Sequence, residues 1–166
     1  MALVLSASGG GGSVGPSIAT GIKVDSDGRV TQSTVVAFMA YGGPYQQLTT
    51  PEVMQFTSTL LNTGNCYSTT TYRFTAPIDG TYRFSTSWMT HNGQWDRAIF
   101  RKNGSQVAQQ FYASSAANVG VYARLDYEII IALVAGDYID VYRNPQSEAG
   151  TGAHPDYRHF AGNLLG

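Results

Sequence analysis

The chain has 166 residues, of which 43% are hydrophobic and 13% charged, and its formal net charge is −1. A chain of this size can bury a substantial core as one domain without metals or disulfides. The near-neutral charge argues against a nucleic-acid-binding protein, which usually carries a basic excess. The single cysteine, Cys66, excludes an intrachain disulfide and a cysteine-rich zinc site, and we expect it to be a small buried hydrophobe.

The first 32 residues are rich in Gly, Ser and Ala and have no periodic apolar face. Gly10, Gly12 and Gly15 fit the G-x-G-x-x-G spacing of a dinucleotide-binding turn. That motif needs a helix directly after the glycines, whereas residues 16–30 contain a proline and two glycines and offer no helix. We therefore predict no cofactor and interpret residues 1–32 as an anchoring arm.

The arm carries small apolar residues on both sides of its glycines. We expect it to be extended when free and to dock on a partner through these residues: Leu3, Leu5, Ile18, Ile22 and Val24. The apolar stretch 2–5 is shorter than the core of a signal peptide. No apolar run approaches the ~20 residues of a membrane-spanning helix. The sequence thus predicts neither signal-peptide export nor membrane insertion.

From residue 33 onward, runs of Val, Ile, Thr, Tyr and Phe alternate with Gly, Asn, Asp and Pro, a pattern typical of an all-β sandwich or barrel. Strands are predicted at 34–41, 71–77, 80–90, 120–134 and 136–143, with a last strand within 159–166. A hairpin is predicted over 96–113, because Asn103–Gly104 is a strong two-residue turn signal. No segment shows a helical period.

The predicted strand 120–134 has two unlike faces, since side chains alternate along a strand. One face is apolar and fits a core: Val121, Leu125, Tyr127, Ile129, Ile131 and Leu133. The other mixes charged and apolar residues: Tyr122, Arg124, Asp126, Glu128, Ile130 and Ala132. This second face is either a solvated surface or a subunit interface. In an interface, Arg124 would pair with Asp126 or Glu128, within or across subunits.

One stretch goes beyond generic β patterning. From Asn62 it reads NTGNCYSTTTYRFTAPIDGTYRF, and with motifs before and after it resembles the globular head domain of complement component 1q. That domain shares its jelly roll with the tumour necrosis factor family. The residues that carry the resemblance are Phe38, Asn62, Gly64, Tyr67, Phe74, Pro77, Gly80, Tyr82, Phe84, Gly136, Asp137, Phe160, Gly162, Leu164 and Leu165.

The resemblance covers about residues 34–166 and implies a ten-stranded, two-sheet jelly roll that assembles as a homotrimer. Residues 33–166 are accordingly interpreted as a jelly-roll trimerisation domain. The signature is one of fold and marks no catalytic site, so the resemblance implies a protein that is not an enzyme.

The segment IKVDSDGRVTQ, residues 22–32, resembles the stretch that precedes such domains in tailed-bacteriophage structural proteins. That resemblance implies a structural protein on the virion surface, as a capsid decoration (cement) protein or a short head or tail fibre. The arm would then hold it to capsid or tail proteins. The alternative is a recognition module, extracellular or at a fibre tip, that binds a receptor or a host surface glycan.

Residue types that could carry chemistry are few. His154 and His159 lie near Asp156, but their spacing matches no zinc signature, and a polar loop is the simpler interpretation. No nucleophile elbow or carboxylate pair stands out. Trp95 could stack on a sugar, although we expect it to cap the core. The sequence therefore predicts neither a metal site nor a catalytic site.

Overall fold

The structure is a computed structural model that describes residues 22–24, 30–32, 35–44, 46–48, 51–90, 95–113, 123–144, 151–153 and 155–166. The chain divides into two compact units, residues 1–34 and residues 35–166. In the first unit, strand β1 (Ile22–Val24) pairs antiparallel with strand β2 (Val30–Gln32).

Residues 22–32, predicted to be part of the anchoring arm, thus include two strands that pair within the chain. Ile22 and Val24 lie opposite Gln32 and Val30 of the same chain, and their docking on a partner stays a prediction. The other predicted anchors, Leu3, Leu5 and Ile18, lie outside the described residues.

The second unit is built from antiparallel strands. Its described strands are β3 (Ala37–Tyr41), β4 (Gln46–Leu48), β5 (Glu52–Val53), β6 (Ser58–Thr63), β7 (Tyr67–Ser68), β8 (Arg73–Thr75), β9 (Gly80–Thr90), β10 (Trp95–Lys102), β11 (Ser105–Ala113), β12 (Ala123–Leu133), β13 (Tyr138–Arg143), β14 (Thr151–Ala153) and β15 (His159–Leu164). One turn of 3-10 helix, η1 (Pro155–Tyr157), precedes the last strand. Among the residues that the structure describes, no helix has the length and hydropathy of a membrane-spanning segment.

Two sheets form the body of this unit. One has the order β11-β10-β13-β8-β7, with β5 also paired to β13, and the other has the order β12-β9-β15-β3-β6. The last strand, β15, lies between β9 and β3, so sheet neighbours are far apart in the sequence. The predicted all-β, two-sheet jelly roll is confirmed, with eleven described strands in the two sheets where ten were expected.

The core lies between the sheets and is dominated by aromatic rings. Phe38 stacks on Tyr67 with a centroid distance of 5.0 Å and meets Phe160 edge-on at 4.8 Å. Phe74 and Phe84 form a further edge-on pair at 4.9 Å. Such pairs add ~0.5–1.5 kcal/mol beyond the burial of their area. The signature aromatics are therefore the residues that hold the two sheets together.

The remaining signature residues are at turns and crowded positions. Gly136 has a φ of 92°, a backbone conformation that favours glycine. Pro77 follows β8, where strand pairing stops. Gly80 is crowded, since a Cβ there would lie 2.5 Å from a methyl of Leu164. Leu164 packs on the core, whereas Leu165 and Gly64 are exposed.

Strands with buried aromatic residues agree best with the sequence-based prediction. The strand at 80–90 is found with the predicted bounds, and the 96–113 hairpin is confirmed as β10 and β11. Its turn is formed by Asn103 and Gly104, with φ values of 51° and 82°. The short strands β4, β5, β6, β7 and β14 were not predicted, because two to six residues of mixed polarity carry too little periodicity.

Cys66 is buried, as the sequence predicts, with 4% of its surface exposed. Burial raises the pKa of its thiol to about 11. The thiol is therefore protonated at neutral pH and is a poor nucleophile.

Candidate functional site

The outward face of the five-stranded sheet begins at its edge strand, β12. The predicted apolar face of this strand turns inward, with these described members buried in the core or packed on it: Leu125, Tyr127, Ile129, Ile131 and Leu133. The opposite face is exposed in the single chain, and its described members are Arg124, Asp126, Glu128, Ile130 and Ala132. The two faces are as predicted, whereas Tyr122 and Val121 lie outside the described residues.

The same face continues over three neighbouring strands, which the sequence interpretation missed. Residues directly opposite one another on antiparallel strands share a face of the sheet. From β12 through β9 and β15 to β3, the register gives the rows Asp126–Ser87–His159–Tyr41, Glu128–Ser85–Ala161–Met39 and Ile130–Arg83–Asn163–Ala37. The alternation of polar and core residues within β9 is the sequence signal that indicates part of this extension. We call these rows, together with Arg124 and Met89, the sheet face.

The charged side chains of the sheet face are paired within the chain. Arg124 Nε donates to Asp126 Oδ1 at 2.8 Å, and Arg83 pairs with Glu128, whose carboxylate raises the pKa of Arg83. In the single chain, the partner of Arg124 is thus Asp126. These four side chains are 45–64% exposed. Both pairs are therefore solvated in the single chain, where such exposed pairs contribute little to stability.

Between the charged pairs, the sheet face is small or apolar. Its middle row contains Ser85 and Ala161, whose short side chains let another surface approach closely. Ile130 is 62% exposed near one border, and Leu60 is 68% exposed near the other. Exposed aliphatic residues among small side chains are typical of a protein–protein interface.

One end of the sheet face is hollowed into a groove of about 350 Å³. Its lining combines Met39, Tyr41 and Met89 with the polar side chains of Arg124 and His159. Burial and the nearby Arg124 lower the pKa of His159, and Asp126 opposes them. The imidazole is consequently neutral at pH 7.

The groove contains residue types that are associated with catalysis, but they are not arranged as a catalytic site requires. Ser87, Asp156 and His159 all line it, yet within the described part of the chain no hydrogen bond joins Ser87 to His159. A serine nucleophile requires a base within hydrogen-bond reach. The described residues also contain no group of three His, Cys, Asp or Glu side chains that could hold a metal ion. His154 and the side chain of Trp95 lie outside them.

The comparisons with known proteins agree with this architecture. The model of the C1q domain family matches residues 37–165. Among solved structures, the globular domain of zebrafish complement 1qA protein superimposes with a TM-score of 0.61 and 18% identity, over 79% of this chain and 98% of that one. Murine APRIL, in a crystal structure at pH 5.0, superimposes with a TM-score of 0.60 and 12% identity, over 80% of this chain and 100% of that one.

Eiger TNF from S. frugiperda gives a TM-score of 0.60 and 10% identity over 80% of this chain and 93% of that one. At these identities the structural likeness establishes the fold alone.

Proposed function

Because this chain belongs to the C1q domain family, we propose that it is a non-enzymatic homotrimeric head in which the sheet faces of three copies pack together. The observation that carries the proposal is the sheet face itself. It pairs its own charges within the chain, exposes aliphatic side chains and is lined by small residues at its centre. Each of these properties lowers the free-energy cost of burying the surface against another copy.

The energetic argument depends on the ion pairs. Burying a charged side chain without a partner costs several kcal/mol, whereas a charge that is already paired and hydrogen-bonded loses much less. The Arg124–Asp126 and Arg83–Glu128 pairs meet this condition before any second copy arrives. Association would therefore bury Ile130 and Leu60 without stranding a charge.

The trimer is tested by placing a large cation at the centre of the sheet face. Ala161→Arg should dissociate the assembly while each chain stays folded, because the added guanidinium has no partner there. Thr71→Arg is the matched control, since Thr71 is exposed in the turn between β7 and β8. Sedimentation velocity should give a single-chain species for Ala161→Arg and a trimer for Thr71→Arg. A trimeric Ala161→Arg protein would place the interface elsewhere.

The wider role that we propose is that of a structural protein on a virus particle, as a capsid decoration protein or a short head or tail fibre. The support is the resemblance of residues 22–32 to the segment before such domains in tailed-bacteriophage structural proteins. The arm, residues 1–32, would attach the head to capsid or tail proteins. Attachment through a hairpin such as β1–β2 could proceed by addition of strands to an exposed sheet edge.

Truncation tests the attachment. A chain that begins at residue 33 keeps Val36, whose carbonyl accepts a hydrogen bond from Leu164 N–H at 3.0 Å, so it should still form the trimeric head. It should not bind to purified particles that lack the protein, whereas the full chain should. Equal binding of both chains would assign attachment to the head and contradict the proposed arm.

The second candidate function is a recognition module that binds a ligand through its exposed surfaces. The observation that favours it is a network of arginine, aspartate and tyrosine side chains on the outer face of the six-stranded sheet, opposite to the sheet face.

A further inference from the structure

A polar row crosses the outer face of the six-stranded sheet. The register places the residues directly opposite one another on five consecutive strands, β7, β8, β13, β10 and β11, in the order Ser68–Arg73–Asp140–Arg101–Gln106. With strands about 4.8 Å apart, the row is about 19 Å long. Ile139 and Val141, the neighbours of Asp140 along β13, belong to the core. The row therefore faces away from the core.

Asp140 is the centre of this row, and its side chain is 0% exposed although it faces outward. Arg101 grips the carboxylate with two nitrogens, Nε to Oδ1 at 2.7 Å and Nη2 to Oδ2 at 2.8 Å. Arg73 approaches from the other side, with Nε 3.4 Å from Oδ2. A buried carboxylate held by two arginines fixes both guanidinium groups in place.

Two tyrosines flank the row along β13 and support the same arginines. The guanidinium carbon of Arg73 lies 4.2 Å from the ring centroid of Tyr138. That of Arg101 lies 4.0 Å from the ring centroid of Tyr142. Stacking on an aromatic face adds to the attraction and restricts the rotation of each side chain. Both cations are thus preorganised rather than mobile.

The charges of the row do not cancel. Two guanidinium groups meet one carboxylate, which leaves one net positive charge. Arg101 is 18% exposed, whereas the side chain of Arg73 is 38% exposed. No described residue accepts a hydrogen bond from the terminal nitrogens of Arg73. Those nitrogens are donors in a fixed position at the surface, which is the arrangement that binds a planar anion.

We propose that this outer face binds an acidic saccharide, with Arg73 holding one sugar carboxylate and the ends of the row contacting sugar hydroxyls. The single net charge matches one carboxylate, whereas an acidic polypeptide would need several cations. Ser68 Oγ accepts N–H groups from Thr70 and Thr71 at 3.3 and 3.2 Å, so its own hydroxyl proton is free to be donated. Gln106, exposed at the other end, offers both a donor and an acceptor.

This inference names a ligand class for the second candidate function, the recognition module. Only the gain in affinity from multivalent binding depends on the proposed trimer. In a trimer assembled through the sheet faces, the three outer faces would remain accessible. A saccharide long enough to reach two of them would gain affinity by effective concentration alone. Binding to one chain, by contrast, depends only on the row.

The test uses the full-length protein in isothermal titration calorimetry with three probes. These are a tetrasaccharide of alternating glucuronate and N-acetylglucosamine, a neutral tetrasaccharide of N-acetylglucosamine, and a peptide of four glutamates. We expect the acidic saccharide to bind and the neutral one to bind at least tenfold more weakly. No binding of the acidic saccharide at millimolar concentration would overturn the proposal. Equal binding of the neutral saccharide, or tighter binding of the peptide, would also overturn it.

Variants assign the binding to Arg73. Arg73→Gln should weaken the acidic saccharide at least tenfold, and Arg73→Lys should restore only part of the loss, because lysine keeps the charge without the planar pair of donors. Lys102→Gln is the control, since it removes one positive charge from β10 outside the row. A loss as large in Lys102→Gln as in Arg73→Gln would indicate general electrostatic attraction and contradict a built site.

The same titration on Ala161→Arg separates this proposal from the trimer. Per-chain binding of the short saccharide should persist in that variant, whether or not the native protein proves to be trimeric. Loss of binding in a folded Ala161→Arg chain would place the ligand at the sheet face instead of the row.

Discussion

The side-chain amide of Asn62 forms hydrogen bonds with both the backbone carbonyl and the backbone N–H of Tyr67. Asn62 Nδ2 donates to the Tyr67 carbonyl at 2.9 Å, and Asn62 Oδ1 accepts the Tyr67 N–H at 3.0 Å. Tyr67 is 4% exposed, so these backbone groups have little access to water. The tyrosine hydroxyl in turn donates to the Phe56 carbonyl at 3.1 Å. The Asn62 amide thereby fixes the position of Tyr67, a core aromatic residue that directly follows the turn before β7.

Asn62→Ala should lower the free energy of unfolding by about 2 kcal/mol, because it leaves a buried donor and a buried acceptor without partners. Urea denaturation followed by tyrosine and tryptophan fluorescence measures the change. Thr71→Ala is the control, since this side chain is exposed in the turn between β7 and β8 and its loss should change stability by less than about 0.5 kcal/mol. Equal stability of Asn62→Ala and the parent would show that the turn is held by other contacts.

Gly162→Ala should also destabilise the head. Gly162 lies in β15 directly between Phe84 of β9 and Phe38 of β3, and a Cβ there would lie 2.8 Å from a ring carbon of Phe38. Forcing a methyl group into this space should cost about 1–3 kcal/mol.

The matched control is Gly166→Ala, because no heavy atom lies within 4 Å of a Cβ at that position. Thermal melts should separate the two alanine variants clearly. Identical melting temperatures would mean that the aromatic rings shift at no cost.

The third prediction concerns acid stability. Lys102 Nζ lies 2.8 Å from Asp137 Oδ2, and the Val134 N–H and the Asn103 amide also donate to this carboxylate at 2.9 and 2.7 Å. These bonds to the charged form, with that of Lys102 the largest, lower the pKa of Asp137 from 3.8 to about 2. Since the folded pKa lies below the unfolded one, the stabilisation is complete above pH 4 and is lost as the pH falls towards 2.

Asp137→Asn should therefore be less stable than the parent at neutral pH, and the difference should shrink between pH 4 and pH 2. Urea midpoints across this range measure it. Asp79→Asn serves as the control, because the Asp79 carboxylate accepts one backbone N–H, that of Ala135, and contacts no cation among the described residues. A constant difference between Asp137→Asn and the parent across the range would contradict the role given to this carboxylate.

The sequence predicts the central strands well because their patterns are strong. In β9 the aromatic residues Tyr82, Phe84 and Trp88 all lie at even-numbered positions with polar residues between them, so its buried face follows from periodicity. The strands β5 and β7 have two residues each and exist because neighbouring strands offer hydrogen-bond partners. No local pattern encodes them.

The sheet face and the polar row of the six-stranded sheet could be predicted from the sequence only where a single strand carries the pattern. One strand of the sheet face, β12, was predicted from its mixed alternation. The rows that join Asp126 to Tyr41 across four strands depend on tertiary register, which a single sequence does not contain. Asp140 carries no sequence signal as the centre of a network, because Arg73 and Arg101 lie 67 and 39 residues away.

The central claim is the trimer, and the most direct measurement is the mass of the full-length protein in solution. Size-exclusion chromatography with light scattering at tens of micromolar should give three times the 17.8 kDa mass of one chain. The mass should remain trimeric in moderate salt, because the charge pairs of the sheet face are satisfied within each chain. A mass of 17.8 kDa across this concentration range would contradict the account.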